Sequence, residues 1–258
     1  MYKRQYDVSG WGATGGAEYG AGNLGAFGLT LSYLLGTDAN GSNANEVNTS
    51  QFELAGYWRG EWNGVHAFAR VSGARIDFDS VRNFTGTTVA RETRGGWNGS
   101  LWSAGAGISY ELRTGRLTVR PLAAVDHYSL KEDGYSETGG GAGFDLIVDE
   151  RSSDETAANG TLTLGYDLGG VDPSGSFFRV ELEGGRREIL SGTLGATTAH
   201  FEGGDDFVLV PDVRSSGWLG RLRLLGGSES FRLGVEAGAE ERDGDAAFSA
   251  RVSLRTGF

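Results

Sequence analysis

The chain has 258 residues, of which 45 are glycine and three are proline, and it contains no cysteine. That length suits one large all-β unit or two small domains. The absence of cysteine excludes a disulfide scaffold and a thiolate metal site. A formal net charge of −11 argues against a nucleic-acid partner, and the lack of any run of about 18 apolar residues excludes a transmembrane helix.

Alternating apolar and polar residues predict β-strands along most of the chain, because a strand sends successive side chains to opposite faces. The clearest case is residues 97–112, where the even-numbered residues from Trp102 to Leu112 are apolar or aromatic and the intervening ones are small or polar. The same pattern predicts eleven strands, at residues 6–20, 24–36, 50–60, 65–79, 97–112, 116–130, 143–168, 176–189, 216–225, 230–241 and 245–258. Each strand is expected to have one apolar and one polar face.

The connections between these strands fall into two classes that alternate along the chain. Short turns are predicted at 21–23, 61–64, 113–115, 169–175 and 226–229, and polar, mostly longer connections at 37–49, 80–96, 131–142, 190–215 and 242–244. Outer-membrane barrels have short periplasmic turns and longer external loops. The pattern fits such a barrel if residues 143–168 form one strand whose middle, 149–159, protrudes into water.

An odd number of strands has consequences for both ends of the chain. Single-chain bacterial barrels have an even number of strands, so the eleven predicted here imply one more strand upstream of Tyr6. Residues 1–5 carry no export signal and are interpreted as a truncated or non-native start, with the barrel occupying residues 6–258. The first and last strands run in the same direction in this count, so we expect either a gap between them or one parallel seam.

The polar faces carry charges that lipid would not tolerate. An arginine or lysine at the bilayer midplane costs roughly 2–4 kcal/mol, a large share of a total stability of about 5–15 kcal/mol. We therefore expect eight charges to face the lumen of the barrel: Arg70, Arg120, Arg179, Glu181, Arg221, Arg223, Arg232 and Glu236. A soluble β-sandwich or propeller would show the same alternation. Opposite charges on the polar face, aromatic residues at strand ends and the terminal Phe258 favour the barrel.

The last strand and the order of the preceding elements resemble a known family. Residues 245–258 place Phe248, Val252, Leu254 and Phe258 on one apolar face, and the chain ends on an aromatic residue where soluble chains usually fray. The chain resembles the translocator domain of the autotransporters, the type V secretion proteins. The segments that carry the resemblance are GWGATGGAEYGAGNLGAFGLTLSY, LAGYWRGEWNGVHAFARVSGARIDFDSVR, RLTVRPLAAVDHYSL with the loop KEDGYSETGGG, DLIVDERSSDETAANGTLTLG and SARVSLRTGF.

The resemblance implies an all-β, antiparallel barrel in the bacterial outer membrane that anchors and exports an N-terminal passenger, with no enzymatic activity and no cofactor. Its implied partners are outer-membrane lipid, the barrel assembly machinery and its own passenger. The apolar row of Phe248, Val252, Leu254 and Phe258 would serve as the C-terminal assembly signal. Two features depart from the family: its lumen helix and first strand have no counterpart here, and Thr256 occupies a position that is usually apolar.

Motifs for other chemistry are weak. Glycines 20, 22 and 25 fit G-x-G-x-x-G, but they bridge two predicted strands with no helix following, which excludes a dinucleotide site. Adjacent Asp126 and His127 suggest a hydrolase at a barrel rim, yet neighbours on a strand point to opposite faces, so a structural role is favoured. No metal site is predicted. A porin- or adhesin-type barrel without a passenger, and a rim hydrolase, are the alternatives to the translocator.

Overall fold

The computed structural model describes residues 6–40, 45–86, 88–141, 143–169, 176–211, 214–228, 230–242 and 244–256. This part of the chain contains the strands β1 (Tyr6–Gly20), β2 (Ala26–Asn40), β3 (Asn45–Trp62), β4 (Val65–Thr85), β5 (Ala90–Tyr110), β6 (Leu112–Thr114), β7 (Leu117–Glu132), β8 (Tyr135–Ser136), β9 (Leu146–Val148), β10 (Arg151–Asp167), β11 (Phe177–Thr193), β12 (Thr197–Phe201), β13 (Phe207–Leu209), β14 (Gly217–Gly227), β15 (Phe231–Arg242) and β16 (Asp245–Thr256). One turn of 3-10 helix, Gly22–Leu24, joins β1 to β2. The described residues contain no helix with the length and apolar character needed to cross a membrane.

Eleven of these strands form a single curled sheet with the antiparallel meander that the sequence predicts. Their order is β1, β2, β3, β4, β5, β7, β10, β11, β14, β15, β16, and the short β6 pairs with β7 beside them. Every neighbouring pair is antiparallel. The Arg255 side chain of β16 is hydrogen-bonded to Glu18 of β1, so the two ends of the sheet meet.

The two faces of the sheet differ in the way the alternation predicts, as β10 illustrates. Leu162, Leu164 and Tyr166 lie on the convex face, with 44–47% of each residue exposed. Thr161 and Thr163, which alternate with them along the strand, are buried and line a cavity on the concave face. The exposed apolar face therefore surrounds a polar interior, which is the arrangement of a membrane barrel.

The edges of the sheet are β1 and β16, and the described residues show no backbone ladder between them. Of the two outcomes expected for an odd number of strands, the structure has the gap. The contact across this gap is made by side chains, from Arg255 to Glu18. Because a strand edge presents free N–H and C=O groups, this seam is where the barrel wall is incomplete.

A second, smaller sheet lies beyond the outer ends of the wall strands. It contains four short strands in the order β13, β12, β9, β8. Three of them come from connections that were predicted to be polar loops, β8 from 131–142 and β12 and β13 from 190–215, and β9 comes from the predicted strand 143–168. Val148 of β9 and Ala199 of β12 are buried where these strands pair. The outer sheet therefore has a small apolar interior of its own.

The prediction that residues 143–168 form one wall strand is wrong in its first part. Leu146–Val148 is β9, which pairs with β8 and β12 in the outer sheet, and the wall strand begins at Arg151. Most of 149–159, predicted to protrude, pairs with β7 within the wall. The polar stretch 80–96 is likewise mainly a hairpin of β4 and β5. Outside the bilayer both faces of a strand meet water, so strands continue there without an apolar face.

Candidate functional site: the charged inner face

The concave face carries a continuous group of paired charges on β7, β11, β14 and β15. Glu181, whose side chain is 3% exposed, accepts a hydrogen bond of 3.2 Å from Arg120, which lies two strands away. Glu183 accepts bonds of 3.0 Å from Arg221 and 2.7 Å from Arg223. Arg223 also pairs with Glu236 on β15. The bond from Arg120 to Glu181 joins strands that are not neighbours, and the curvature of the wall brings these two side chains together.

A second group of charges lies nearer the outer end of the same wall. The carboxylate of Glu155 accepts hydrogen bonds from Arg187 at 2.7 Å and from Arg214 at 3.0 Å. Arg187 also lies 3.6 Å from Asp126, which accepts a bond of 2.5 Å from the Asn159 amide. This group links β7, β10 and β11 to the connection before β14. Its bonds are charge-assisted, and such bonds are stronger than neutral ones.

Two further groups of paired charges lie at the periplasmic end of the lumen. Asp167 accepts bonds of 2.8 Å from Arg179 and 2.5 Å from Arg113. At the seam, Glu18 accepts bonds of 2.6 Å from Arg59 and 3.0 Å from the Tyr57 hydroxyl, and it also binds Arg255. The group around Glu18 joins β1, β3 and β16 across the gap between the edge strands.

The eight charges predicted from the sequence to face the lumen are placed as follows. Arg120, Arg221 and Arg223 line the inner cavity, and Glu181 and Glu236 are bound to them by the contacts given above. Arg179 binds Asp167, Arg70 binds Glu53 on the neighbouring strand, and Arg232 lies over the ring of Phe177 at 5.7 Å. The structure therefore brings six of the eight into two connected groups and leaves Arg70 and Arg232 in local contacts.

The cavity enclosed by these groups has a volume of about 850 Å³. Its lining comes from β4, β5, β7, β10, β11, β14 and β15, and includes Asn159, Thr161 and Thr163 along the middle of one wall. Arginine and carboxylate side chains alternate around it and are paired with one another. The cavity is therefore polar without presenting a surface of one charge, and could accept a polypeptide without requiring a particular sequence.

The outer sheet is fixed to the inner surface of β4 and β5. The Tyr135 ring stacks on Trp97 at 4.3 Å and 8°, and Trp97 stacks on Phe78 at 5.0 Å and 6°. Arg82 of β4 binds the buried Glu137 and donates a bond of 2.8 Å to the Phe144 carbonyl. Burial raises the pKa of Tyr135 above its ordinary value. The sheet leans over the lumen, and a second cavity of about 470 Å³ lies beside it.

Several inner-face residues were not among the eight charges predicted to face the lumen. Glu183 and Arg187 are odd-numbered, like the predicted Arg179 and Glu181 on β11. Residues two positions apart on a strand share a face, and this alternation was the signal that could have placed them in the lumen. Glu155 lies within the stretch wrongly predicted to protrude. Glu18 lies within the predicted strand 6–20, but its pairing with Arg255, 237 positions later in the chain, depends on the meeting of the first and last strands.

The adjacent pair Asp126 and His127 does not form a catalytic dyad. Asp126 points into the inner cavity and binds Asn159 and Arg187. His127 lies on the opposite face, with its ring 4.8 Å from Trp102 and its Nδ1 atom 2.8 Å from the Thr156 hydroxyl. The opposite faces follow from adjacent positions on one strand.

The apolar row predicted as an assembly signal lies along the edge strand β16. Phe248, Val252 and Leu254 are 66–81% exposed, and their backbone pairs with β15 on one side of the strand. Phe258 lies outside the described residues. The three described residues of the row are therefore accessible both to lipid and to another protein at the seam.

Comparison with known proteins identifies the family. The model of the Autotransporter beta-domain family matches residues 3–227. The fold is similar to the translocator domain of autotransporter NalP from Neisseria meningitidis, with 18% identity and a TM-score of 0.77 over 98% of this chain and 81% of that one. It is also similar to the β-domain of the Bordetella autotransporter BrkA, with 17% identity and a TM-score of 0.65 over 99% of this chain and 94% of that one. No curated protein matches the chain. The chain belongs to the autotransporter β-domain family, the non-enzymatic translocator barrels of the bacterial outer membrane that export a passenger domain.

Proposed function

We propose that the inner cavity holds the chain segment that connects the barrel to its passenger, first as it is exported and then as a helix that remains in the lumen. The single observation that supports this most is the pairing of the inner charges across strands. A segment passing through meets arginines and carboxylates that already neutralise one another, such as Arg223 with Glu183. A lumen lined by unpaired charges of one sign would instead retain segments of the opposite sign.

The chain offers a direct test because it has no cysteine, so an introduced thiol is unique in it. Ala124 lines the inner cavity, whereas Ala123, its neighbour on β7, points to the lipid face. In the full-length protein in outer membranes, Ala124→Cys should form a disulfide with a cysteine placed in the connecting segment. Ala123→Cys is the matched control and should not. The measurement is the mobility shift on non-reducing electrophoresis.

The outcome separates the translocator from a porin- or adhesin-type barrel. A crosslink at position 124 but not at 123 supports a lumen occupied by the connecting segment. Labelling of Ala124→Cys by a small water-soluble thiol reagent, without any crosslink across a series of positions in the segment, would mean an open lumen and would contradict the proposal. Equal crosslinking at both positions would contradict the assignment of the two faces.

We also propose that the row of Phe248, Val252, Leu254 and Phe258 is recognised by the barrel assembly machinery. Support comes from the exposure of the first three on the free edge strand β16. Val252→Ser should lower the amount of assembled barrel in cells, whereas Ser253→Ala, on the other face of the same strand, should not. Quantitative blots of folded and unfolded forms measure this. Equal assembly of both variants would contradict the recognition of this row.

We propose, finally, that an additional strand completes the wall between β1 and β16. The two edge strands run in the same direction and share no backbone ladder in the described residues. A strand antiparallel to both would satisfy both edges, as lipid requires of a spanning barrel. It would also give the even number of strands found in single-chain bacterial barrels.

A further inference from the structure

Two basic residues lie close together on the convex face of the barrel, outside the lumen and its proposed role. Arg75 of β4 is opposite Ser100 of β5, and Ser100 is opposite Lys131 of β7. The three residues lie in one row across three strands, with Arg75 and Lys131 about 10 Å apart at the usual strand spacing. We call this row the Arg75 patch. Its side chains share the face of Trp102, two residues from Ser100 on β5.

The position of Arg75 along its strand places the patch at the outer surface of the membrane. Arg75 follows Val65, the first residue of β4, by ten positions, and Val65 adjoins the short turn on the periplasmic side. Ten residues span about 33 Å along a strand, or about 25 Å along the membrane normal at a tilt of roughly 40°. That height equals the apolar band of an outer-membrane barrel, about 25 Å, so Arg75 reaches the level of the outer lipid headgroups.

Below the patch the convex surface has an apolar depression. Gly73 lies between Leu54 on β3 and Trp102 on β5 in the adjacent row. A Cβ atom at Gly73 would have no neighbour within 4 Å, whereas Leu54 and Trp102 are both about half exposed and stand on either side. An acyl chain fits such a depression, because it is bounded by apolar side chains and lies within the hydrocarbon band.

The charges of the patch are available to a ligand. The Arg75 side chain is 72% exposed, and its nearest ionic contact is Asp77 at 3.8 Å through Nε. A guanidinium has five donors, so the terminal nitrogens remain free to bind another anion in a bidentate manner. Lys131 is exposed as well, and the Ser100 hydroxyl lies between the two cations. Exposed charges of this kind at a membrane surface attract anionic lipid headgroups.

We propose that the Arg75 patch binds a phosphate group of a phosphorylated glycolipid of the outer leaflet, with an acyl chain of the same molecule in the depression over Gly73. The source of the phosphate is the lipid and not free phosphate, because the cations stand at headgroup height directly above an apolar depression. The role of such a site is to fix the height and rotation of the barrel in the outer membrane.

The test uses the full chain in detergent and diphosphorylated lipid A as the probe, with bound lipid counted by native mass spectrometry. The double variant Arg75→Gln/Lys131→Gln should lower the affinity by roughly tenfold or more. The matched control is Arg186→Gln on the convex face of β11, whose arginine contacts Glu188 at 2.9 Å and the Trp218 ring at 5.3 Å. It should bind lipid A as the unaltered chain does.

Two further arms identify the ligand group. Dephosphorylated lipid A should bind the unaltered chain about as weakly as lipid A binds the double variant, and inorganic phosphate at equal concentration should not compete. Unchanged affinity in the double variant, an equal loss in Arg186→Gln, or undiminished binding of the dephosphorylated lipid would each overturn the proposal. Competition by inorganic phosphate would assign the site to free anions. Retained folding of each variant is checked by circular dichroism.

Discussion

Removing Arg223 should destabilise the barrel more than the loss of an ordinary surface charge. Arg223 is 20% exposed and lies 2.7 Å from Glu183 and 3.7 Å from Glu181, whose side chains are 7% and 3% exposed. It also pairs with Glu236. Arg223→Ala would leave these carboxylates near one another with fewer cations: Glu183 would keep Arg221, and Glu181 would keep Arg120 and Arg179.

The expected loss of unfolding free energy in Arg223→Ala lies between two known limits. Removing one partner of a buried ion pair costs roughly 3–5 kcal/mol, whereas an exposed pair contributes about 0.2–1 kcal/mol. The lumen admits water, and Glu183 and Glu181 each retain a second arginine. We therefore expect Arg223→Ala to lower the free energy of unfolding by about 1–3 kcal/mol.

The assay is guanidinium unfolding of the refolded barrel, followed by the fluorescence of its six tryptophans. The control is Arg94→Ala, which removes a pair with Glu92 at 2.8 Å in which both side chains are exposed; the expected loss is about 0.2–1 kcal/mol. Adding Glu183→Gln to Arg223→Ala should recover part of the lost stability, because it removes a carboxylate that has lost its closest cation.

Two results would refute this reasoning. One is a loss for Arg223→Ala no larger than that for Arg94→Ala, which would mean that water screens the inner face as fully as the outer rim. The other is an additive further loss when Glu183→Gln is combined with Arg223→Ala. In a double-mutant cycle, additivity means that the two side chains do not interact.

Three other changes test the packing of the wall and of the outer sheet. Gly28→Val should cost about 1–3 kcal/mol of unfolding free energy, because its Cβ would lie 2.1 Å from the Tyr57 ring. The control Gly184→Val has open space around its Cβ and should not lower the unfolding free energy, so equal losses in the two variants would contradict the contact at Gly28. Leu164→Arg should cost roughly 2–4 kcal/mol in lipid but little in a soluble fold, as guanidinium unfolding in vesicles would show. Tyr135→Ala removes the outermost ring of the aromatic stack and should speed proteolysis of the outer sheet in intact cells, whereas unchanged cleavage would mean that the stack does not hold it.

The alternation of residues was sufficient to predict the wall because lipid imposes one rule on every spanning strand. Leu164 must face hydrocarbon and Thr163 must not, so the odd or even position of a residue along the strand is enough to assign each side chain to a face. The same rule gives the wrong result at Leu146 and Val148, which are even-numbered like the lipid-facing residues of β10. They are apolar because they pack in the outer sheet, where Val148 is buried against β12. Outside the bilayer, the alternation of apolar and polar residues does not indicate which strands pair with each other.

The contacts of the inner face could be predicted only in part, for a different reason. Parity places Arg120 and Glu181 on one face, but their hydrogen bond spans two strand spacings across β10. That contact depends on curvature, on side-chain length and on the register of two separate pairings. The contact between Glu18 and Arg255 depends in addition on the closing of the whole sheet. Sequence patterns that act within one strand contain none of this information.

The seam gives the last prediction, because the two edges should exchange amide hydrogens at a rate that reports whether the wall is complete. About half of the amide groups of β1 and of β16 point away from their single partner strand, and each one left unpaired in hydrocarbon costs several kcal/mol. One side-chain contact, from Glu18 to Arg255, cannot offset a row of such groups. In the full-length protein we therefore expect the amides of Thr14 of β1 and Ala250 of β16, which point away from their single partner strands, to exchange as slowly as that of Ala106 in the middle of the wall, since an additional strand would pair both edges. Exchange at the two edges that is orders of magnitude faster than at Ala106 in the full-length protein would show an open seam and would contradict the additional strand.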